Sequence, residues 1–324
     1  MHRIPRRREA QAGGARLWVV VLTILVGAPL LVAFVAANRV LHPEWEHHGL
    51  PCDAFSKRAF TYCGDPEQEL GLFFENVQFP SARDGVTLRG WLVGAEPPAR
   101  GGIVFVHGGG GDRREGLRYA RFLHDRGFTV LMFDLRGHGL SDADGSGLHF
   151  GALEQNDVRG AVDFMRARGY QRQGIVAGSM GAASAILASI DQPLVKALVL
   201  ENTYTSMRDF VPDALGWAGL PAPLAPIVRA ILFYRRPELA EVDPLSQIGR
   251  LAPRPLLLIA GDADHLTPVA RMQQLLVAAG NPKDLWIIPK GDHGQLIGVD
   301  PDAYAARVGA FLLEHVAQQP PSPQ

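Results

Sequence analysis

The stretch that most constrains this chain is QGIVAGSMGAAS, Gln173 to Ser184. Ile175, Val176 and Ala177 read as a buried strand, Gly178 breaks it, and Met180 to Ala183 restarts the chain as a helix. A strand that becomes a helix over so few residues forces the corner residue, Ser179, into a strained backbone and pushes its side chain out of the sheet. Only small neighbours permit so tight a corner, and Ala177 and Gly181 supply them on either side. The corner also falls at a helix N-terminus, where unpaired N–H groups and the dipole favour developing negative charge. Such a corner commits the chain to helices packed on a sheet, with a serine presented at the sheet edge.

The flanking segments have the rhythm that such a sheet needs. Phe73–Phe79 and Val86–Val93 are apolar-rich runs joined through Asp84-Gly85, a hairpin signal. Gly102–Val106, Thr129–Phe133, Ala197–Leu200, Pro255–Ala260 and Leu285–Ile288 read as short buried strands. Helical periodicity covers Arg114–Arg126, Glu154–Arg168, Val269–Ala279 and Asp302–Val316. Strands alternating with helices predict a mostly parallel sheet covered on both faces. From Thr203 to Asp243 the rhythm breaks, as Pro212, Pro221, Pro223, Pro226 and Pro237 interleave with Trp217, Leu220 and Tyr234. A segment of this length is too long for a plain loop and predicts an inserted lid of short helices.

Upstream, Leu17–Ala37 contains no charged residue. At about 1.5 Å per residue a helix of this length spans roughly 30 Å, the thickness of a bilayer core. The segment is expected to be a transmembrane anchor, kinked at Pro29; a signal peptide cut after Ala37 is the alternative, although its apolar core would be unusually long. Residues 1–16 hold Arg3, Arg6, Arg7, Arg8 and Arg16 against Glu9 alone, a net +4 in a chain whose total is −1. That asymmetry predicts a single-pass, N-terminus-inside orientation with the bulk of the chain extracytoplasmic, or secreted if the signal is cleaved. The overall balance gives no reason to expect nucleic acid. His42, Glu44, Glu46, His47, His48, Cys52 and Asp53 match no metal-ligand spacing, and 38–65 reads as a linker. Cys52 and Cys63 are the chain's two cysteines, and an extracytoplasmic setting predicts a disulfide between them.

A serine becomes a competent nucleophile only when a base takes its proton, and that base needs a third group to hold its tautomer. Of the histidines after Ser179, His315 falls inside the last helix and His265 directly follows a candidate acid. His293 lies in a glycine-flanked loop after a strand, so it is the base. The acid should leave the same sheet edge. Asp264, after the strand Pro255–Ala260, has the order and spacing; Asp262 and Glu201 are its rivals. The oxyanion of a tetrahedral intermediate needs preorganised N–H donors, expected from Met180 and from Gly109 in the run His107–Gly111.

VFVHGGGG, FDLRGHGLSD, GSMGAAS, LVLENTYTS, GDADHLTP and GDHG are together specific. From about Phe73 to Val316 the chain resembles an α/β-hydrolase, in particular the serine-aminopeptidase-like branch of membrane-anchored, short-lidded hydrolases. The resemblance implies an α/β fold with an eight-stranded, mostly parallel sheet, helices on both faces, and Ser179, Asp264 and His293 as a triad. It transmits no substrate. The expected organisation is a basic arm 1–16, an anchor 17–37, a linker 38–65, a hydrolase domain 66–318 with a lid at about 203–245, and a tail 319–324. His138 is expected to hold a loop. The expected function is a membrane-tethered serine hydrolase acting on a small-molecule ester or similar acyl bond, with an apolar substrate group under the lid and no metal or cofactor. A peptidase or amidase, an acyltransferase, and a non-catalytic binding scaffold are the competing readings.

Overall fold

A computed structural model describes residues 18, 21, 23–43, 62–143 and 145–317. The sheet begins with Glu75–Pro80 (β1) and Thr87–Val93 (β2), an antiparallel pair whose turn uses Gly85 at φ +70°. Gly101–Val106 (β3), Phe128–Phe133 (β4), Gln173–Gly178 (β5), Val195–Glu201 (β6), Leu256–Gly261 (β7) and Lys283–Ile288 (β8) follow. They give one eight-stranded sheet in the order β1-β2-β4-β3-β5-β6-β7-β8, parallel from β4 to β8.

Every residue of β3, β4 and β7 is buried, as a strand covered on both faces requires. Successive side chains enter different cores. Val104, Leu131, Phe133 and Ile175 share one cluster, while Ile103, Phe105, Val130 and Val176 share the other. The main helices are Ala28–Leu41 (α1), Leu117–His124 (α2), Glu154–Ala167 (α3), Ser179–Ser189 (α4), Met207–Trp217 (α5), Ala225–Arg235 (α6), Val269–Ala278 (α7) and Pro301–His315 (α8). Val158, Val162, Ala182 and Ile186, from α3 and α4, close the first core; Leu117, Leu123, Val308 and Leu312, from α2 and α8, close the second.

Between β6 and β7 lies the expected insertion, formed by α5, α6 and short helical turns. Ser206 caps α5 by accepting the Asp209 N–H, and Gly219, at φ +71°, follows its last turn.

The N-terminal apolar stretch differs from expectation in its arrangement. A π-helical turn, Thr23–Gly27, leads into α1, which continues past Ala37 to Leu41. Pro29 sits in the first turn of α1, directly after the π-helical turn. Among the described residues no helix is long and apolar enough to cross a membrane. Instead α1 packs on α6, burying Ala33, Ala37 and Leu41. The Leu41 carbonyl accepts the Leu148 N–H at 2.9 Å, and Arg235 donates to Asn38 Oδ1 at 3.2 Å. Cys63 is disulfide-bonded; its expected partner Cys52 lies outside the described residues, as do the basic arm, most of the linker and the tail.

Candidate active site

The chain runs outward from β3 to β4 and then crosses back to β5, so the strand order reverses between β3 and β5. A crevice opens at the carboxyl ends of parallel strands at such a point. Ser179 stands there, with φ +51° between extended Gly178 and the first turn of α4. Its backbone is in the left-handed region that residues with a Cβ rarely occupy. Gly181 explains how the corner is tolerated: a Cβ there would lie 2.3 Å from the His107 carbonyl oxygen and 2.7 Å from that of Val106. The helix can therefore leave the sheet only where residue 181 has no side chain. Ala177 is buried on β5.

His293 brings the predicted groups together. Its Nε2 lies 3.0 Å from Ser179 Oγ, and its Nδ1 lies 2.8 Å from Asp264 Oδ2. Asp264 is buried and fully bonded. Oδ1 accepts the N–H groups of Leu266 and Thr267 at 2.8 Å each, and Oδ2 also accepts the Thr267 hydroxyl at 2.6 Å. Burial pushes the Asp264 carboxyl up, but the hydrogen bonds and charge of His293, with those of Thr267, outweigh it and hold the pKa below the ordinary value. A carboxylate in this position favours the proton on Nδ1, which leaves the Nε2 lone pair directed at the serine.

The rival acids are engaged elsewhere. Asp262 is exposed and accepts the Lys290 N–H at 2.5 Å. Glu201, the last residue of β6, accepts hydrogen bonds from the Tyr119 and Tyr304 hydroxyls in the second core. Burial pushes its carboxyl up to about 6, against the lowering effect of those hydroxyls and Arg118. His265 is exposed, and His315 ends α8.

The glycine-rich run after β3 passes beside the serine: a Cβ on Gly108 would meet Ser179 Cβ at 3.1 Å. Its shape is held from several sides. His107 Nε2 accepts the Leu135 N–H at 3.0 Å, so Nδ1 carries the proton it donates to the Gly108 carbonyl at 2.7 Å. The Gly108 N–H donates to Glu115 Oε2 at 3.2 Å, and His138 Nε2 accepts the Gly110 N–H at 3.3 Å. His138 thus holds this loop. Gly109 and Met180 both line the cavity above Ser179.

That cavity has a volume of ≈ 920 Å³. Its walls are mostly apolar, with Phe150, Phe210, Leu215, Trp217 and Leu220 among them; Glu115, Arg118 and Glu201 give it a polar flank. Ala36, Val40 and Pro43 also line it, although they belong to the segment read from sequence as anchor and linker.

Two further residues join the site from unexpected positions. Asn202, at φ +43°, accepts the Gly261 N–H on its side chain at 3.1 Å, and its carbonyl oxygen lies 3.0 Å from the Thr267 hydroxyl that donates to Asp264. It therefore ties the end of β6 to the loop carrying Asp264. Thr203 donates its hydroxyl to the Ser179 carbonyl at 3.0 Å. Both lie in the quoted motif LVLENTYTS, but only the folded register shows what they touch.

Residues 97–249 match the family model described as serine aminopeptidase, S33. Protein YfhR of Escherichia coli O157:H7 is 30% identical over 251 residues, covering 75% of this chain and 78% of that protein. Protein bem46 of Schizosaccharomyces pombe is 26% identical over 267 residues, covering 79% of this chain and 82% of that protein. Among solved structures, the Pyrococcus furiosus esterase Pf2001 superposes with a TM-score of 0.65 at 23% identity, over 80% of this chain and 99% of that one. The fold, the matched segment and the relatives agree, and the chain belongs to the serine aminopeptidase S33 family of α/β-hydrolases.

Proposed function

We propose that the protein is a membrane-tethered serine hydrolase that cleaves an ester or similar acyl bond through an acyl-enzyme on Ser179. The observation that carries this reading is the unbroken line from Ser179 Oγ to His293 Nε2 at 3.0 Å and from His293 Nδ1 to Asp264 at 2.8 Å. Ser179 Oγ attacks the acyl carbon while its proton passes to His293 Nε2. Asp264 stabilises the imidazolium that results. The negative oxygen of the tetrahedral intermediate is held by the N–H groups of Met180 and Gly109. Collapse breaks the bond to the leaving group, which departs with the proton from Nε2. A water molecule then repeats the sequence on the acyl-serine, releasing the acid and restoring the serine.

An acyl substrate is favoured over a peptide because apolar side chains of the helical insertion roof the serine. The uncharged run 17–37 behind five arginines supports a tether with the catalytic domain extracytoplasmic. Kinetics on p-nitrophenyl esters test the reading. Ser179→Ala should lower turnover about a million-fold, as loss of the nucleophile does in a serine protease. A folded Ser179→Ala protein with wild-type turnover would refute it.

A further inference from the structure

The geometry points to a second role for the N-terminal apolar helix: its inner face is a wall of the acyl pocket, and its outer face lies in lipid. The substrate is then a membrane-resident acyl ester that reaches Ser179 from the bilayer. This inference rests on the hydrolase reading of Ser179 and adds the substrate class.

Three observations carry it. First, α1 is part of the site. Ala33, Ala37 and Leu41 are buried against the body, and the adjoining Ala36, Val40 and Pro43, with Arg39, line the same cavity as Ser179 and His293. An anchor that served only as a tether would have no reason to close the substrate cavity. Second, the rest of its first two turns is exposed and apolar, with the Arg235 guanidinium of α6 over the Phe34 ring at 5.9 Å and the exposed Asn38 and Arg39 following. Leu30, Leu31, Val32, Phe34 and Val35 are 43–64% exposed, and no charge occurs between Arg16 and Arg39. Apolar faces of this extent on a soluble protein mark a contact surface. Third, the occupant is indicated by the sequence before the helix and by the exposed aromatics of the insertion. Five arginines precede the run, a pattern that suits an anionic lipid surface. Trp217 and Tyr234, from the insertion, are 58% and 88% exposed; these are the aromatic types that collect at membrane–water boundaries. Trp217 also lines the cavity, so one side chain belongs both to the pocket and to the exposed rim.

The arrangement joins pocket and membrane through a single helix. An acyl chain leaving the bilayer along α1 would pass directly from lipid to Val40 and Ala36 without crossing water.

The test uses the full chain reconstituted in phosphatidylcholine–phosphatidylglycerol vesicles. Two ratios are measured: kcat/KM for p-nitrophenyl dodecanoate over p-nitrophenyl acetate, and the rate on a vesicle-embedded long-chain fluorogenic ester over p-nitrophenyl acetate. Ala36→Trp fills the inner wall and should lower the first ratio at least about ten-fold; Val40→Phe, a smaller change, should lower it in the same direction. Leu31→Asp and Val35→Asp charge the outer face and should lower the second ratio about five-fold or more. Fluorophosphonate labelling of Ser179 in each variant shows that the site is formed. Failure of wild-type protein to label would defeat the hydrolase reading itself. Normal labelling with both ratios unmoved would overturn this inference alone. Outer-face variants that change the oligomeric state but not the second ratio would assign the face to a second copy of the chain, and would also overturn it.

Discussion

Replacing Asp264 by asparagine exchanges an acceptor for a donor at the atom facing His293. The direction of the exchange is set by the loop. Oδ1 accepts two backbone N–H groups, from Leu266 and Thr267 at 2.8 Å each, so the amide oxygen must take that place. The amide nitrogen then occupies the position of Oδ2, 2.8 Å from His293 Nδ1. A donor there obliges Nδ1 to accept and moves the ring proton to Nε2, where it faces Ser179 Oγ. A histidine in the wrong tautomer costs serine proteases about 10⁴-fold in turnover, or about 5.5 kcal/mol of barrier. Asp264→Asn should therefore retain roughly one part in 10⁴ of wild-type kcat on p-nitrophenyl butyrate, with an unchanged circular-dichroism spectrum. Its stability should respond to pH in a defined sense. The Asp264 carboxyl is held below its ordinary value of 3.8, so its contribution is present above that pH and is lost as pH falls through the folded value. The deficit of the variant in urea unfolding should accordingly shrink in acid. Asp262→Asn is the control, because an amide oxygen can still accept the Lys290 N–H; exposed changes of this kind move free energies by about 0.5 kcal/mol. Equal losses in the two variants, or a folded Asp264→Asn protein with more than about a tenth of wild-type activity, would refute the reasoning.

Gly181→Ala should destabilise the fold by about 1–3 kcal/mol in urea unfolding, because its Cβ would be driven into two backbone carbonyls; an unchanged midpoint would contradict the close approach of α4 to β3. Glu201 has a folded pKa of about 6 against an ordinary 4.5, so its favourable contribution is complete below pH 4.5 and is lost as pH rises through 6. The stability of wild type relative to Glu201→Gln should fall by about 2 kcal/mol between pH 4 and pH 7, and a pH-independent difference would count against it. Mass spectrometry of thiol-blocked, non-reduced peptides should find Cys52 joined to Cys63 when the domain is extracytoplasmic; two alkylated cysteines would remove both the bridge and the support it gives the orientation.

The grouping of Ser179, His293 and Asp264 is legible where chemistry imposes a local pattern. The corner at Ser179 needs small neighbours, and Gly181 answers a contact of 2.3 Å that follows from so abrupt a turn. His293 could be chosen because its loop follows a strand. Asp264 had a neighbouring rival, and only the fold separates them by turning Asp262 to the Lys290 backbone. Asn202, Thr203 and Thr267 could not be read the same way. Their roles depend on the register of β6 with β5 and with β7, not on local spacing. Glu201 is a rival acid in the sequence because sequence cannot show that Tyr119 and Tyr304, distant in the chain, meet it in one core. The packing of α1 was hidden for another physical reason. A helix apolar all round has no periodic contrast, so its buried stripe at Ala33, Ala37 and Leu41 looks no different from its exposed side.

The central claim is that Ser179 is the nucleophile, and covalent labelling with a fluorophosphonate followed by peptide mapping tests it most directly. A single adduct is expected on the peptide containing Ser179; it disappears in Ser179→Ala and is strongly slowed in Asp264→Asn. An adduct on another serine, or folded wild-type protein that takes up no label, would contradict that claim.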